Sequence, residues 1–236
     1  MPDNRFFSHT SLALGETTLD EDEAHHLQHV MRLAAGDKIE LIDGKGALAQ
    51  AKIKKCSKRS ILVEVTDVQK EPPSNFSIII AQAIPRFQRL DVILEKGTEL
   101  GMTELWLFPG VHSEKGQFTD PQKERIQKIL IAAIKQCGRL YLPFVRYCAP
   151  LSDWKNLPYP LFYGDLSPNT PRLIDAYGKP EKGSIFAVGP ERGWSPEELK
   201  QLKALNGIAV SLHTNTLRTD TAPLAALSII SQLSPN

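Results

Sequence analysis

The chain has 236 residues and is almost neutral, with 28 lysines and arginines against 27 aspartates and glutamates. This balance excludes a protein that binds nucleic acid through an overall positive field, so any such binding must come from a local patch. With 42% hydrophobic and 23% charged residues, the composition is globular and excludes disordered, collagen-like and coiled-coil chains.

Cysteine usage and hydropathy point to a soluble protein. Cys56, Cys137 and Cys148 form no CxxC pair, which argues against a disulfide framework or a four-sulfur zinc site. No apolar run approaches the roughly 18 residues of a membrane helix, and residues 1–18 lack the order of a signal peptide. We expect a cytoplasmic protein with no membrane partner. His25 and His29 have zinc-binding spacing but no companion ligand, so we also expect no metal.

The first 70 residues have the pattern of a small β-domain. Apolar alternation and a glycine-rich turn predict strands at Lys38–Ile42, residues 47–53 and residues 60–68. Acidic residues 20–23 precede Ala24, Leu27, Val30 and Met31 at helical spacing and predict one helix. We predict a small barrel with one helix, followed by a linker at residues 70–74, where two prolines cannot continue a strand ladder.

From residue 74 onward, strands alternate with helices, which predicts an α/β fold with a parallel sheet. The strands are predicted at residues 77–83, 103–108, 160–163, 184–188 and 208–212. The helices are predicted at residues 88–100, 120–137, 196–205 and 222–233.

Two helices carry further information. Ser195 is a predicted N-cap, Pro196 takes the first helical position, and Glu198 completes a capping box. The last helix is apolar around most of its circumference and is therefore expected to be buried on most sides. Burial within the chain and a subunit interface both remain open as the cause.

The common nucleotide-binding signatures are missing, since there is neither a Gly-x-Gly-x-x-Gly turn nor a P-loop. Two other segments, 189–198 and 212–222, follow predicted parallel strands. Ligands of open α/β sheets bind at such carboxyl ends.

These segments read Gly-Pro-Glu-x-Gly-x-Ser and Leu-Arg-Thr-Asp-Thr-Ala. Together they resemble the closing motifs of the SPOUT methyltransferases, specifically the RsmE-type enzymes that methylate uridine N3 in 16S ribosomal RNA. The resemblance spans the chain, with weaker segments at residues 26–36, 95–101 and 136–139. It implies a PUA-like RNA-binding β-barrel over residues 1–70 and a SPOUT methyltransferase domain over residues 74–236. It also implies a C-terminal deep trefoil knot and a homodimer packed through the knots.

The resemblance implies S-adenosylmethionine as cofactor, held by three loops. The residues concerned are Gly164, Asp165, Gly189, Pro190, Glu191, Leu212, His213, Leu217, Thr221 and Ala222. At positions 164 and 189, glycine would let the backbone approach a ligand closely.

Methylation of uridine N3 requires removal of its proton or stabilisation of the resulting anion. Arg218 is the first candidate, because its fixed charge suits negative charge on the uracil or a phosphate. Glu191 and Asp220 are candidate bases. Asp220 would alternatively cap the last helix, and Glu191 would alternatively be a structural acceptor in its turn.

The sequence departs from the family's pattern at four positions. Arg192 and His213 stand where glycine is usual or common, Asn215 where a basic residue is common, and Asp220 where glutamate is more usual. If residue 192 requires a positive φ, arginine is strained there. Its side chain either points to solvent or contacts RNA or the cofactor carboxylate.

Local basic clusters are the candidates for binding 16S ribosomal RNA or the small ribosomal subunit. On the N-terminal domain these are Lys52, Lys54, Lys55, Lys58 and Arg59, to which Arg5 and Arg32 add, and a second surface contains Arg86, Arg89, Lys96 and Arg139. Such residues contact phosphates. Lysines on the edge of a barrel also suppress strand pairing, which is the alternative explanation of the first cluster.

Two other functions remain open at this point. One is a ribosome-associated RNA-binding protein that has lost catalysis, a hypothesis motivated by Arg192 and His213. The other is a metabolic α/β enzyme that uses the same strand ends for a small substrate.

Overall fold

A computed structural model describes residues 4–57, 59–113 and 117–234. The chain divides into two compact units. The first comprises the chain up to Pro73 together with Ile131–Leu142, and the second comprises Ser74–Leu130 and the chain from Pro143 onward. Each unit has a hydrophobic core of its own.

The first unit contains a five-stranded sheet in the order β1–β3–β4–β5–β2. Its strands are β1 (Arg5–Phe7), β2 (Gly15–Leu19), β3 (Lys38–Ile42), β4 (Ala47–Cys56) and β5 (Ile61–Lys70). Along β4, Ala49, Ala51 and Ile53 are buried while Lys52 and Lys54 are exposed. The period of two predicted for this segment is therefore confirmed.

The predicted helix of the first unit is divided in two. Asp20 accepts a hydrogen bond from the Glu23 N–H and caps α1 (Glu21–His25), after which residues 26–30 form a wider π-helical turn. This turn keeps Leu27 fully buried and leaves Val30 60% exposed. Val30 therefore does not share the buried face of Ala24 and Leu27 that its helical spacing indicates, because the wider turn changes the angular spacing of the side chains.

The second unit contains a six-stranded sheet in the order β11–β9–β10–β6–β7–β8, with every neighbouring pair parallel. Its strands are β6 (Ser77–Ala83), β7 (Glu104–Phe108), β8 (Phe144–Tyr147), β9 (Leu161–Gly164), β10 (Gly183–Val188) and β11 (Ile208–Val210). The predicted α/β class with a parallel sheet is confirmed. β8 was not predicted, because its residues are mostly exposed and carry no apolar periodicity.

In the part of the chain that the structure describes, five α-helices belong to the second unit. They are α2 (Phe87–Glu99), α3 (Asp120–Cys137), α4 (Leu173–Ala176), α5 (Pro196–Ala204) and α6 (Thr221–Leu233). One of them, α3, ends in the first unit. The capping box predicted for α5 is present, with Glu198 N–H donating to Ser195 Oγ and Ser195 N–H donating to Glu198 Oε2. α4 was not predicted, because one helical turn is too short for a periodic signal.

α6 contacts α2, α4, β6 and β10. Pro223, Ala226, Leu227 and Ile230 are buried there. Other apolar side chains of the helix, among them Ile229, are only half-buried. Burial within the chain therefore accounts for one part of the apolar surface of α6 and leaves another part uncovered.

Among the described residues, no helix combines the length and apolar character needed to cross a membrane. In the same part of the chain, no three His, Cys, Asp or Glu side chains are grouped so that they could hold a metal ion.

Candidate functional site

A cavity of about 560 Å³ opens at the carboxyl ends of β9, β10 and β11. The strand register brings these ends together, since Val210 pairs with Gly164 and Ala187 pairs with Tyr163. The volume lies within the range of about 300–1,000 Å³ that is usual for small-molecule sites. We call this space the strand-end cavity.

Nine of the ten residues predicted to hold a cofactor line the strand-end cavity. They are Gly164, Asp165, Gly189, Pro190, Glu191, Leu212, His213, Leu217 and Ala222. Thr221 does not line it, because it begins α6 with an exposed side chain. Arg218 also lines the cavity, as do Asn215 and Trp194.

Trp194 fixes two of the loops around the strand-end cavity. Its indole N–H donates to the Gly164 carbonyl at 3.0 Å. A Cβ on Gly189 would lie 2.9 Å from the Trp194 ring, so only glycine fits at that position. Trp194 is therefore a structural part of the site, and it determines the residue type of the neighbouring loop.

The third loop is held by backbone contacts. Asn215 N–H donates to His213 Nδ1 at 3.0 Å, so the neutral His213 ring carries its hydrogen on Nε2. The Arg218 carbonyl accepts from the N–H groups of Thr221 and Ala222 and closes the first turn of α6. The Arg218 guanidinium is exposed, and within the described part of the chain it forms no ion pair.

Arg89 was predicted only as part of an RNA-binding surface, yet it lines the strand-end cavity. Its Nη1 lies 3.1 Å from Glu191 Oε1 and donates to Thr219 Oγ1 at 3.3 Å. Arg89 thus joins α2 to two loops of the site. The sequence signal that points to it is its position in the first turn of the helix after β6, at the carboxyl edge of the sheet.

A second cavity of about 340 Å³ adjoins the first and shares Pro190, Glu191 and Thr219 with it. We call it the adjoining cavity. Its remaining walls are residues 83–86, residues 111–113 and Arg192. Glu191 therefore lies on the boundary between two spaces.

Arg192 does not have a positive φ, whereas the next residue, Gly193, has a φ of 81°. The strain considered for an arginine at position 192 is therefore absent. The side chain of Arg192 is exposed and lines the adjoining cavity, not the strand-end cavity. This position separates it from the residues expected around a cofactor.

Asp220 does not cap α6. Its backbone has helical angles, φ −87° and ψ −27°, and its side chain accepts no hydrogen bond from a backbone N–H of the first turn; Oδ1 accepts only from the Thr221 hydroxyl, at 3.4 Å. An N-cap side chain reaches that turn from an extended backbone, so the helical angles explain the missing contact. The capping prediction is wrong, and Asp220 lines neither cavity.

The predicted RNA-binding residues differ in availability. Arg5 donates to Glu40 and is only 9% exposed, whereas Arg32, Lys54 and Lys55 are exposed. Lys54 lies 2.8 Å from Glu64, and this contact raises the pKa of Lys54 and lowers the pKa of Glu64.

Of the remaining predicted RNA-binding residues, Arg86 lines the adjoining cavity. Arg139 is half-buried, and its burial lowers the pKa of its guanidinium. Lys58 lies outside the described residues.

A parallel sheet with a ligand-sized cavity at its strand ends is the arrangement of the α/β proteins that bind small ligands at this edge. Comparison with models of known protein families gives two matches. The family model described as "RNA methyltransferase domain" matches residues 72–231, and the family model described as "RNA methyltransferase PUA domain" matches residues 19–66. The chain belongs to this RNA methyltransferase family, in the branch whose curated members are named ribosomal RNA small subunit methyltransferase E. The resemblance carried by the two closing motifs is confirmed.

Two of these relatives come from Synechocystis and Bacillus subtilis. The first is 30% identical over 92% of this chain and 73% of its own length, and the second is 28% identical over 89% and 87%. A solved structure of the Neisseria gonorrhoeae protein of the same name, bound to S-adenosyl methionine, is 29% identical with a TM-score of 0.84, covering 98% of both chains. A probable rRNA-methyltransferase from Porphyromonas gingivalis is 28% identical with a TM-score of 0.82, covering 92% of both chains.

Proposed function

We propose that this protein transfers the methyl group of S-adenosylmethionine to N3 of a uridine in 16S ribosomal RNA of the small subunit. The observation that carries the proposal is the strand-end cavity, where nine predicted cofactor residues from three loops meet. The likeness to a relative solved with S-adenosyl methionine, at 29% identity over 98% of both chains, supports the same cofactor.

The residues around the strand-end cavity fit such a cofactor. Leu166, Leu212 and Leu217 supply apolar surface for an adenine ring, and the strand ends supply backbone groups for its polar edge. A Cβ on Gly164 would find only the Phe186 ring, at 4.0 Å, so this backbone borders open space. A ligand can therefore approach the chain closely there.

When bound, the cofactor supplies a methyl group on a positively charged sulfur; the N3 electron pair forms the new N–C bond, the S–C electrons pass to sulfur, and the N3 proton is released. We assign the proton to Glu191, which lies on the wall shared by both cavities. Arg89 holds Glu191 Oε1 at 3.1 Å and leaves Oε2 for the proton. Asp220 lines neither cavity and is the weaker candidate for the base.

Arg218 would stabilise the negative charge that develops on the uracil ring when N3 loses its proton. Arg218 lines the strand-end cavity, and no carboxylate among the described residues forms an ion pair with its guanidinium. A fixed positive charge aimed at a developing anion lowers the barrier without a proton transfer of its own.

The finer architecture is part of the same proposal. Residues 1–70 would form a PUA-like RNA-binding barrel, supported by the PUA match at residues 19–66. Residues 74–236 would form the SPOUT domain with a deep trefoil knot, supported by the path from edge strand β11 back to the sheet centre, where α6 contacts β6 and β10. The uncovered apolar part of α6 supports a homodimer. An enzyme of ribosomal RNA would act in the cytoplasm.

Two measurements test the proposal. Titration calorimetry should show binding of S-adenosylmethionine, and mass spectrometry should find 3-methyluridine in 16S RNA after incubation of the protein with small-subunit particles or with free RNA.

Glu191→Gln should bind the cofactor but methylate at least about 100-fold more slowly, as expected for a lost general base. Cofactor binding without methylation by the unaltered protein would favour the inactive RNA-binding alternative.

A further inference from the structure

We propose that the adjoining cavity receives the target uridine, flipped out of its RNA, and that Arg192 binds a phosphate of that nucleotide. This inference rests on the proposed function and names the substrate subsite of the same site. The argument begins with position. The adjoining cavity and the strand-end cavity meet at Pro190, Glu191 and Thr219, so a base in one lies next to a ligand in the other.

The adjoining cavity suits a nucleotide in size and lining. Its volume of about 340 Å³ is smaller than that of the strand-end cavity. Ile84, Pro85 and Val111 supply apolar walls for the faces of a base. Val111 is 64% exposed although it is apolar, and a base seated beside it would cover it. Enzymes that modify a base commonly take it out of the stack into such a pocket.

The walls of the adjoining cavity are held in place before any ligand binds. The buried Glu198 accepts from Val111 N–H at 3.0 Å with the carboxylate oxygen that the capping box does not use. His112 Nδ1 lies 3.3 Å from the Gly193 carbonyl. A carbonyl only accepts, so Nδ1 carries the hydrogen and Nε2 of the neutral ring remains an acceptor. The loop at residues 110–113 is thereby tied to both α5 and the loop that carries Glu191.

The position of Glu191 gives a reason for selecting uridine. Uracil presents an N–H group at N3, whereas cytosine presents a lone pair there. A carboxylate at the boundary of the two cavities accepts from the first and repels the second. Glu191 would therefore discriminate between the two pyrimidines as well as take the proton.

Arg192 supplies the charge for the phosphate. It is exposed, it lines the adjoining cavity, and no carboxylate of the described chain pairs with it. Arg86 lines the same cavity and adds a second cation. A guanidinium binds phosphate oxygens through two parallel hydrogen bonds. Arg192 lies outside the strand-end cavity, so its loss should leave cofactor binding intact.

The test compares Arg192→Gly, Arg192→Lys and the unaltered protein on small-subunit particles. We expect Arg192→Gly to raise KM for the particles roughly 10-fold and to reduce the salt slope of RNA affinity by about one, as for a lost phosphate contact. The maximal rate and the affinity for S-adenosylmethionine should be unchanged. Arg192→Lys should recover most of the loss. Lys203→Ala is the control, because it removes an exposed cation that does not line the adjoining cavity.

A second variant tests the cavity itself. Val111→Trp should fill the adjoining cavity and reduce kcat/KM for particles at least 10-fold with cofactor affinity intact, while Val111→Ala should stay close to the unaltered protein. Normal KM and salt slope in Arg192→Gly, or normal kcat/KM in Val111→Trp, would overturn the inference while leaving the proposed function standing. If the unaltered protein never methylates, the proposed function fails and the target uridine fails with it, whereas RNA affinity that depends on Arg192 would still show the phosphate contact.

Discussion

Glu198 serves the fold and the site with its two carboxylate oxygens. One oxygen accepts from Ser195 N–H in the capping box of α5, and the other accepts from Val111 N–H on the wall of the adjoining cavity. The sequence pattern predicts the first contact from local spacing. The second joins residues 87 positions apart in the chain and depends on the assembled fold.

We expect Glu198→Ala to destabilise the protein by about 1–3 kcal/mol, because the buried N–H of Ser195 and the partly buried N–H of Val111 lose their acceptor. Urea unfolding followed by circular dichroism measures this loss. Glu197→Ala, which removes the exposed neighbouring carboxylate, is the matched control and should change little. Equal stability of the two variants would show that the Glu198 contacts do not contribute.

At the scale of elements, α1 and α3 are joined by an ion pair within the first unit. Lys135 Nζ lies 2.6 Å from Glu23 Oε1, and both side chains are largely buried. Glu23 Oε2 has no hydrogen-bond partner, and burial raises the pKa of Glu23 although Lys135 opposes the shift. The folded protein therefore bears a desolvation cost that the ammonium only partly offsets.

Lys135→Met should raise the pKa of Glu23 further above its ordinary value of 4.5. The folded state then keeps a proton that the unfolded chain releases, so stability falls as pH rises above that value. We expect a loss of about 3 kcal/mol at neutral pH, the usual cost of breaking a buried pair, and a much smaller loss near pH 4.

Chemical unfolding of the Lys135→Met variant at several pH values measures this dependence. Lys123→Met on the same helix removes an exposed lysine paired with Asp120 and should behave like the unaltered protein. Adding Glu23→Gln to Lys135→Met should abolish the extra pH dependence. A loss of unfolding free energy in Lys135→Met that is the same at every pH would contradict the role given to Glu23.

α6 provides the second prediction at this scale. Ile229 and Leu233 are half-buried in the single chain, and a homodimer would cover them. Ile229→Glu should give a monomer in sedimentation velocity, because a charge in an apolar interface is costly. Gln232→Glu places the same charge at an exposed polar position and should remain dimeric. A dimer that survives Ile229→Glu would locate the interface elsewhere.

At the scale of the whole molecule, the near-zero net charge means that individual cations decide RNA affinity. Lys54 and Lys55 are adjacent and exposed, and among the residues that the structure describes only Lys54 has a carboxylate partner, Glu64. Lys55→Ala should therefore reduce RNA affinity and lower the salt slope of that affinity by about one unit. Lys54→Ala should have a smaller effect on both quantities. Filter binding at several salt concentrations measures both. An unchanged salt slope in Lys55→Ala would exclude a direct phosphate contact by Lys55, and equal losses in the two variants would show that the pairing with Glu64 does not withhold Lys54 from RNA.

The sequence predicted most strands and helices because their apolar residues repeat with the period of the element, as in β6 and α5. It did not predict β8, whose residues are exposed, or α4, which has a single turn. The closing motifs predicted which loops meet at the strand-end cavity. The adjoining cavity has no such signal, because it arises from loops that approach only in the folded protein. For Arg89 the sequence signal is its place in the first turn of the helix after β6, and its contacts with Glu191 and Thr219 depend on the assembled fold.

The first unit is discontinuous in the chain, since Ile131–Leu142 belongs with the residues up to Pro73. Phe7 and Ile42 pack in one cluster with Ile134 and Leu140. During synthesis, the N-terminal strands therefore emerge well before the segment that covers them. Translation must pass Leu142 before this cluster can close, and a fragment that stops at the proline linker would leave Phe7 and Ile42 open to aggregation.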